Sequence, residues 1–308
     1  MPSNQTPLGA LPARFRRQRI LVVGCGDVGL RVARALPSRV RVLGLTSSPA
    51  RMPQLRAQGI TPLHGNLDQA RTLARIAGLA DRVVHLAPPS TEPAQQWWRD
   101  RRTEALLRAL RLRGAPAALV YASTSGVYGD CAGEWVPEHR PVAPHTPRAQ
   151  RRVDAERLVR FFGRGSGTRT SVLRIPGIYA SDRVGGTPRE RLEKGTPVLE
   201  AGDDVYTNHI HADDLARAVL AALWRGRPQR VYNASDDSAL KMGDYFDLAA
   251  DLYGLPRPPR VPRNAAQESL PLVLLSFMSE SRRLDNRRMK QELRVRLRHP
   301  TVETGLRA

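Results

Sequence analysis

Cysteine is scarce in this chain. Only Cys25 and Cys131 occur in 308 residues, too few for a disulfide framework and consistent with a reducing, cytoplasmic setting. Long apolar runs are missing too: no segment approaches the roughly 20 apolar residues of a membrane-spanning helix. Residues 1–19 lack the apolar core of a signal peptide, so 1–16 reads as a polar tail. Lysine is reduced to Lys194, Lys241 and Lys290 among 49 basic residues, against 29 acidic ones. The formal charge of +20 invites a nucleic-acid reading. The arginines are spread along the chain without one dense block, however, and GC-rich coding would produce such a bias unaided. Neither a membrane nor a specific nucleic acid is expected as a partner.

What the chain does contain is Arg19-Ile20-Leu21-Val22-Val23-Gly24-Cys25-Gly26-Asp27-Val28-Gly29, a short apolar run that enters a Gly-x-Gly-x-x-Gly turn and leaves it on a helical pattern. Gly24 would let the backbone turn sharply out of a strand, Gly26 would admit a pyrophosphate to main-chain N–H groups, and Gly29 would let helix and strand pack closely. The anion would sit on the positive end of the helix dipole. Taken alone the glycines also fit a plain tight turn. The β-branched run before them and the spacing of Val28, Leu30, Val32, Ala33 and Leu36 after them favour the nucleotide grip.

Onward from there, apolar runs alternate with helical patterns, the signature of a parallel sheet with crossover helices. Strands are expected near 19–24, 40–45, 60–64, 82–87, 117–123 and 170–175. Helices are expected from near Asp27, Gln54, Gln69, Trp97 and Pro147, with a later one over 212–224 started by Asp213 and Asp214. The segment 255–262 is proline-rich and reads as a loop, and 264–292 as irregular helical pieces. The fold class is α/β, a Rossmann-type doubly wound sheet. Residues 17–180 form the nucleotide-binding domain, with 204–235 returning to it. Residues 181–203 and 236–308 form a small substrate-covering lobe from non-contiguous segments.

Further motifs carry a family resemblance: Gly65-Asn66-Leu67-Asp68, Val84-His85-Leu86-Ala87, Ser123-Thr124-Ser125-Gly126-Val127-Tyr128-Gly129-Asp130, Arg174-Ile175-Pro176-Gly177-Ile178-Tyr179, Asn208-His209-Ile210-His211-Ala212-Asp213-Asp214-Leu215 and Tyr232-Asn233-Ala234-Ser235-Asp236. In order and spacing the chain resembles the extended and atypical short-chain dehydrogenases/reductases, which include the NAD-dependent epimerases and dehydratases of nucleotide sugars. Its C-terminal Ser281–Leu293, His299-Pro300-Thr301 and Gly305-Leu306 resemble an atypical bacterial branch. The resemblance implies cofactor contacts from Gly24, Gly26, Asp27, Val28, Gly29, Asn66, Leu67, Leu86 and Ala87.

The same resemblance exposes departures. Active members use a Ser or Thr, matched by Thr124, with a Tyr and a Lys four residues further on. Counting back from Glu156, which matches a family glutamate, those two positions fall on Arg148 and Arg152. A guanidinium stays protonated, so Arg148 cannot stand in for an acid–base phenol. Arg152 could still reach a cofactor ribose; the alternative for both arginines is a solvated helix face. Thr124, Tyr128 and His145 are the candidate catalytic residues, with a Tyr or His as proton carrier. His209 and His211 share one face of a strand, but no third ligand accompanies them and a structural role is expected. Where relatives carry an arginine for the nucleotide phosphate, this chain has Thr207; Arg183, Arg189 and Arg191 keep an anionic substrate open.

For the cofactor, NAD-specific sites place a carboxylate after the second strand. Here Thr46, Ser47, Ser48 and Arg51 stand without an acid, which suits a 2′-phosphate. NADP is expected, with NAD as the alternative. The leading function is an NAD(P)-dependent oxidoreductase or epimerase/dehydratase-like enzyme acting on a small sugar-like or anionic substrate, with a homodimer as a compatible assembly. A non-catalytic NADP-binding sensor or scaffold is the second reading, and an arginine-rich nucleic-acid-binding protein the third.

Overall fold

The computed structural model describes residues 18–91 and 95–308; the tail expected over 1–16 lies outside them. Seven parallel strands form the central sheet: β1 (Arg19–Val23), β2 (Arg41–Thr46), β3 (Thr61–His64), β4 (Arg82–His85), β5 (Ala118–Thr124), β6 (Arg169–Ile175) and β7 (Arg230–Asn233). Their spatial order is β7-β6-β5-β4-β1-β2-β3. Strand order reverses between β1 and β4, and that switch point is where an open α/β sheet leaves a crevice for ligands. The central strands read as unbroken apolar runs because both their faces are covered.

Helices α1 (Asp27–Arg34), α2 (Arg101–Arg111), α3 (Pro147–Ser166) and α4 (Ala212–Arg225) provide that cover. On one face Val32 and α4 residues Leu215, Val219 and Leu223 pack with Ile20, Val22 and Val120. On the other, α2 and α3 bring Leu106, Leu110, Val159 and Phe162 against Leu21, Leu119 and Val172. A third apolar cluster lies in the last part of the chain, where Leu192, Val198 and Val205 meet Tyr245 and Phe246 of α5 (Met242–Tyr253).

Several boundaries differ from the expected ones for local reasons. Helix α2 starts at Arg101, not near Trp97, because the buried Asp100 carboxylate accepts from the N–H and hydroxyl of Thr103 and fixes the first turn there. The segment expected to be helical from Gln69 is a 3-10 helix, Ala70–Ile76. The helix expected from Gln54 begins earlier, as a 3-10 turn over Pro49–Arg51 that continues into Met52–Ala57. At α4 the cap is His211, whose Nδ1 accepts from Asp213 N at 3.2 Å. Asp213 instead pairs with Arg31, and Asp214 accepts from the backbone N–H groups of Arg298 and His299. Among the described residues no helix is long and apolar enough to cross a membrane.

Candidate dinucleotide site

The glycine turn stands at the switch point. Gly24 has φ +97°, and a Cβ there would fall 2.6 Å from Ala87 N and 2.9 Å from Leu86 C, so the turn is pressed against the end of β4. Leu86 and Ala87 are held by their own N–H groups, both donating to Val23 O. A Cβ at Gly29 would sit 2.4 Å from Gly24 O; only a glycine lets α1 lie this close to the turn. Gly26 is the opposite case. A Cβ there meets nothing within 4 Å, so the space in front of the α1 N-terminus is open, as an anion cradle requires. The three glycines divide the work as a dinucleotide turn needs: sharp turn, open approach, close packing.

Around this cradle the expected cofactor residues take distinct positions. Val28 packs on the core. Asp27 is neutralised by Arg31 at 3.0 Å and by Arg183 at 2.8 Å. Arg31 also pairs with Asp213 at 2.6 Å and with Asp182, so one guanidinium ties α1 to α4 and to the 182–183 loop. At the end of β2, Thr46 is buried and its Oγ1 accepts from Ser48 N, while Ser47 is exposed. Arg51 does not merely open the next helix in solvent: its Nη2 donates to Cys25 O at 2.7 Å, which folds the guanidinium back onto the glycine turn. The Cys25 thiol beside it is pushed up to about 11 by burial, against the lowering charge of Arg51, and is therefore a packing group. Beyond β3, Asn66 Oδ1 accepts from Asp68 N and Asn66 N donates to Thr72 Oγ1, while Leu67 packs on the core.

The candidate catalytic residues fare differently. Thr124 ends β5, with Oγ1 accepting from Gly126 N, and Gly126 faces Ala149 of α3. His145 is exposed just before α3 and its ring lies against Gly129. Tyr128 is buried, and its hydroxyl donates to Asn233 Oδ1 at 2.7 Å. The Arg174 guanidinium lies 4.6 Å over its ring. Burial pushes the phenol up to about 12 despite that charge. A phenol so placed holds the 125–129 turn to β7.

Arg148 is exposed, with desolvation and the Arg152 charge lowering its pKa. Arg152 is only 6% exposed, so it does not lie on a solvated face. It is turned inward under β5, where Nη1 donates to Tyr121 Oη and to Ala122 O, and its Nε has no partner among the described residues. Both of its protein contacts are made by Nη1 alone.

Some features were invisible from the sequence. Glu156 receives Arg174 through two contacts, at 2.8 and 3.1 Å, and the Ser123 hydroxyl at 2.6 Å, all buried beneath the site. His85 Nε2 meets Thr103 Oγ1 at 2.9 Å, and burial, then the Arg152 charge, lowers its pKa to about 3. Of the three arginines noted for an anionic substrate, Arg183 is held by Asp27 and Arg189 stacks 4.2 Å from the Tyr253 ring. Arg191 lies over Phe246 with its Nε and Nη2 buried and without a partner among the described residues. His209 and His211 pack against Tyr179, and no cluster of three metal-ligating side chains occurs among the described residues.

Comparison with known proteins agrees with this geometry. The model of the NAD dependent epimerase/dehydratase family matches residues 20–235. The chain is 31% identical over 195 residues to a GDP-6-deoxy-D-mannose reductase of Pseudomonas aeruginosa, spanning 56% of this chain and 64% of that protein. Among solved structures, a functionally unknown conserved protein from Silicibacter pomeroyi is 30% identical with a TM-score of 0.77, covering 94% of this chain and 97% of that one. The dTDP-glucose 4,6-dehydratase DesIV of Streptomyces venezuelae, solved with NAD bound, is 22% identical with a TM-score of 0.75, covering 94% and 95%.

Proposed function

The chain belongs to the NAD dependent epimerase/dehydratase family, and from that premise we propose that it binds a nicotinamide dinucleotide, preferentially NADP, and acts on a small sugar-like, anionic substrate. The observation that carries this reading is the open space at Gly26 before the α1 N-terminus, between two glycines packed too tightly for any other residue. The residues fit the group. The N–H groups of Gly26, Asp27 and Val28 take the pyrophosphate, and Thr46, Ser47 and Arg51 take a 2′-phosphate. Asn66, Leu67, Leu86 and Ala87 line the cofactor's path along the sheet edge. Bound there, the cofactor supplies a hydride acceptor or donor.

Thr124 orients the substrate oxygen by hydrogen bonding, and the exposed imidazole of His145 is the proton carrier. The segments 181–203 and 236–308 cover the substrate, and Arg191 meets its anionic group in place of an arginine at Thr207. The assay is absorbance of reduced nicotinamide with nucleotide sugars. Turnover is expected to be slow, lost in His145→Ala and unchanged in Tyr128→Phe. Robust turnover lost in Arg148→Ala but unchanged in His145→Ala contradicts it.

Arg148 and Arg152 in place of the family's Tyr and Lys favour a second reading, a sensor or scaffold that binds NADP without turning it over. Tight dinucleotide binding with no change of its redox state under any substrate supports that reading over the first.

A further inference from the structure

Away from the glycine turn, a groove of about 760 Å³ runs between the outer faces of α1 and α4 and the segment 294–298. The sequence Arg294-Val295-Arg296-Leu297-Arg298 builds one wall. Val295 is buried and Leu297 packs on the core, which leaves the three arginines between them exposed. This strap is fixed in place. The fully buried Asp214 carboxylate accepts from Arg298 N at 2.9 and 3.0 Å and from His299 N at 2.8 Å. Arg34 of α1 stands on another wall, and Leu220 and Trp224 of α4 give the groove an apolar lining.

The acids nearby are already committed. Asp213 pairs with Arg31, and Asp214 with Arg217. Among the described residues no ion pair engages Arg34, Arg294, Arg296 or Arg298. These four arginines line one groove without an ion pair among the described residues, and their planar guanidinium forks match phosphate oxygens two at a time. The volume is that of a small-molecule site, and the walls are anchored, so little ordering is needed on binding. Four arginines on two separate wall elements, α1 and the 294–298 segment, suit a chain of phosphates better than a single one.

We propose that this groove binds a small anion carrying several phosphate groups, at a site separate from the dinucleotide cradle. Inorganic tripolyphosphate is the probe, titrated by calorimetry into the parent protein saturated with NADP and into Gly26→Asp, in which a carboxylate fills the cradle. One saturable site is expected in both. It should weaken at least about tenfold when Arg294, Arg296 and Arg298 are all changed to alanine, and much less when the exposed Arg108, Arg157 and Arg160 are changed instead. Should the first triple variant fail to fold, Arg34→Glu should give the same loss. The proposal is overturned by absence of saturable binding, by equal losses in the two triple variants, or by displacement of tripolyphosphate from the parent by NADP. It is also overturned if a single-stranded oligonucleotide binds more tightly than tripolyphosphate at physiological salt with the same arginine dependence, which assigns the groove to nucleic acid.

Discussion

Replacing Arg51 by alanine isolates the choice between the two dinucleotides. Its guanidinium is held by Cys25 O at 2.7 Å, beside the exposed Ser47 and the buried Thr46, with no carboxylate between Thr46 and Arg51. A 2′-phosphate placed at the end of β2 would gain a charge-assisted hydrogen bond from the remaining donors. Because the side chain is only partly buried, the lower end of the range for such bonds applies, about 1.5 kcal/mol, or roughly tenfold in affinity. NAD offers a hydroxyl at the same position, so its affinity should change little. Calorimetry with both dinucleotides should show NADP bound more tightly by the parent and the preference cut about tenfold in Arg51→Ala. Arg51→Lys should fall between, since an ammonium keeps the charge and loses the fork. If the parent prefers NAD, or if Arg51→Ala weakens both equally, the arginine serves the turn and the cofactor assignment at this strand fails.

Other perturbations follow from the buried groups. Glu156→Gln leaves the Arg174 guanidinium without its counter-charge; urea unfolding should register a loss of about 3 kcal/mol, and a loss under about 1 kcal/mol would show the pair to be dispensable. Asp236 is buried and its carboxyl is raised to about 8, chiefly by desolvation. Its folded-state value lies above the unfolded one, so its contribution to stability is complete in acid and is lost as pH rises towards 8. Asp236→Asn should flatten that part of the melting-temperature profile, and an unchanged profile would show that Asp236 is ionised in the fold. Arg191→Met should weaken binding of an anionic substrate while leaving dinucleotide affinity alone; a fall in dinucleotide affinity would place Arg191 elsewhere than expected.

The sheet was legible wherever a strand is an unbroken apolar run ahead of a glycine or a loop. The expected strands from Arg19 to Ile175 lie within a residue or two of the observed ones at most ends. Arg230–Asn233, the seventh strand, is four residues long, opens on an arginine and pairs only with β6, so it gives no apolar run to read. The glycine turn was legible because its three roles are steric and local. The fate of Tyr128 was not, since its partner Asn233 lies 105 residues away and only the parallel pairing of β6 and β7 brings the two together. For Arg152 the sequence offered a ribose contact or a solvated helix face, and neither reading showed its protein partners. Helix phase turns it inward onto Tyr121, a contact 31 residues distant in sequence. The alternation of arginine with Val295 and Leu297 points to no groove by itself, because it is Asp214, 84 residues away, that straps the segment down.

The central claim is that the turn Gly24–Gly29 is a dinucleotide cradle, and calorimetry of NADP and NAD against the parent and Gly26→Asp tests it most directly. Gly26 has open space around it, so the variant should fold with an unchanged melting temperature. The new carboxylate both fills the cradle and repels the pyrophosphate. The account predicts a saturable heat of binding in the parent and none in the folded variant. A parent that binds neither dinucleotide, or a folded Gly26→Asp protein that binds as tightly as the parent, would contradict it.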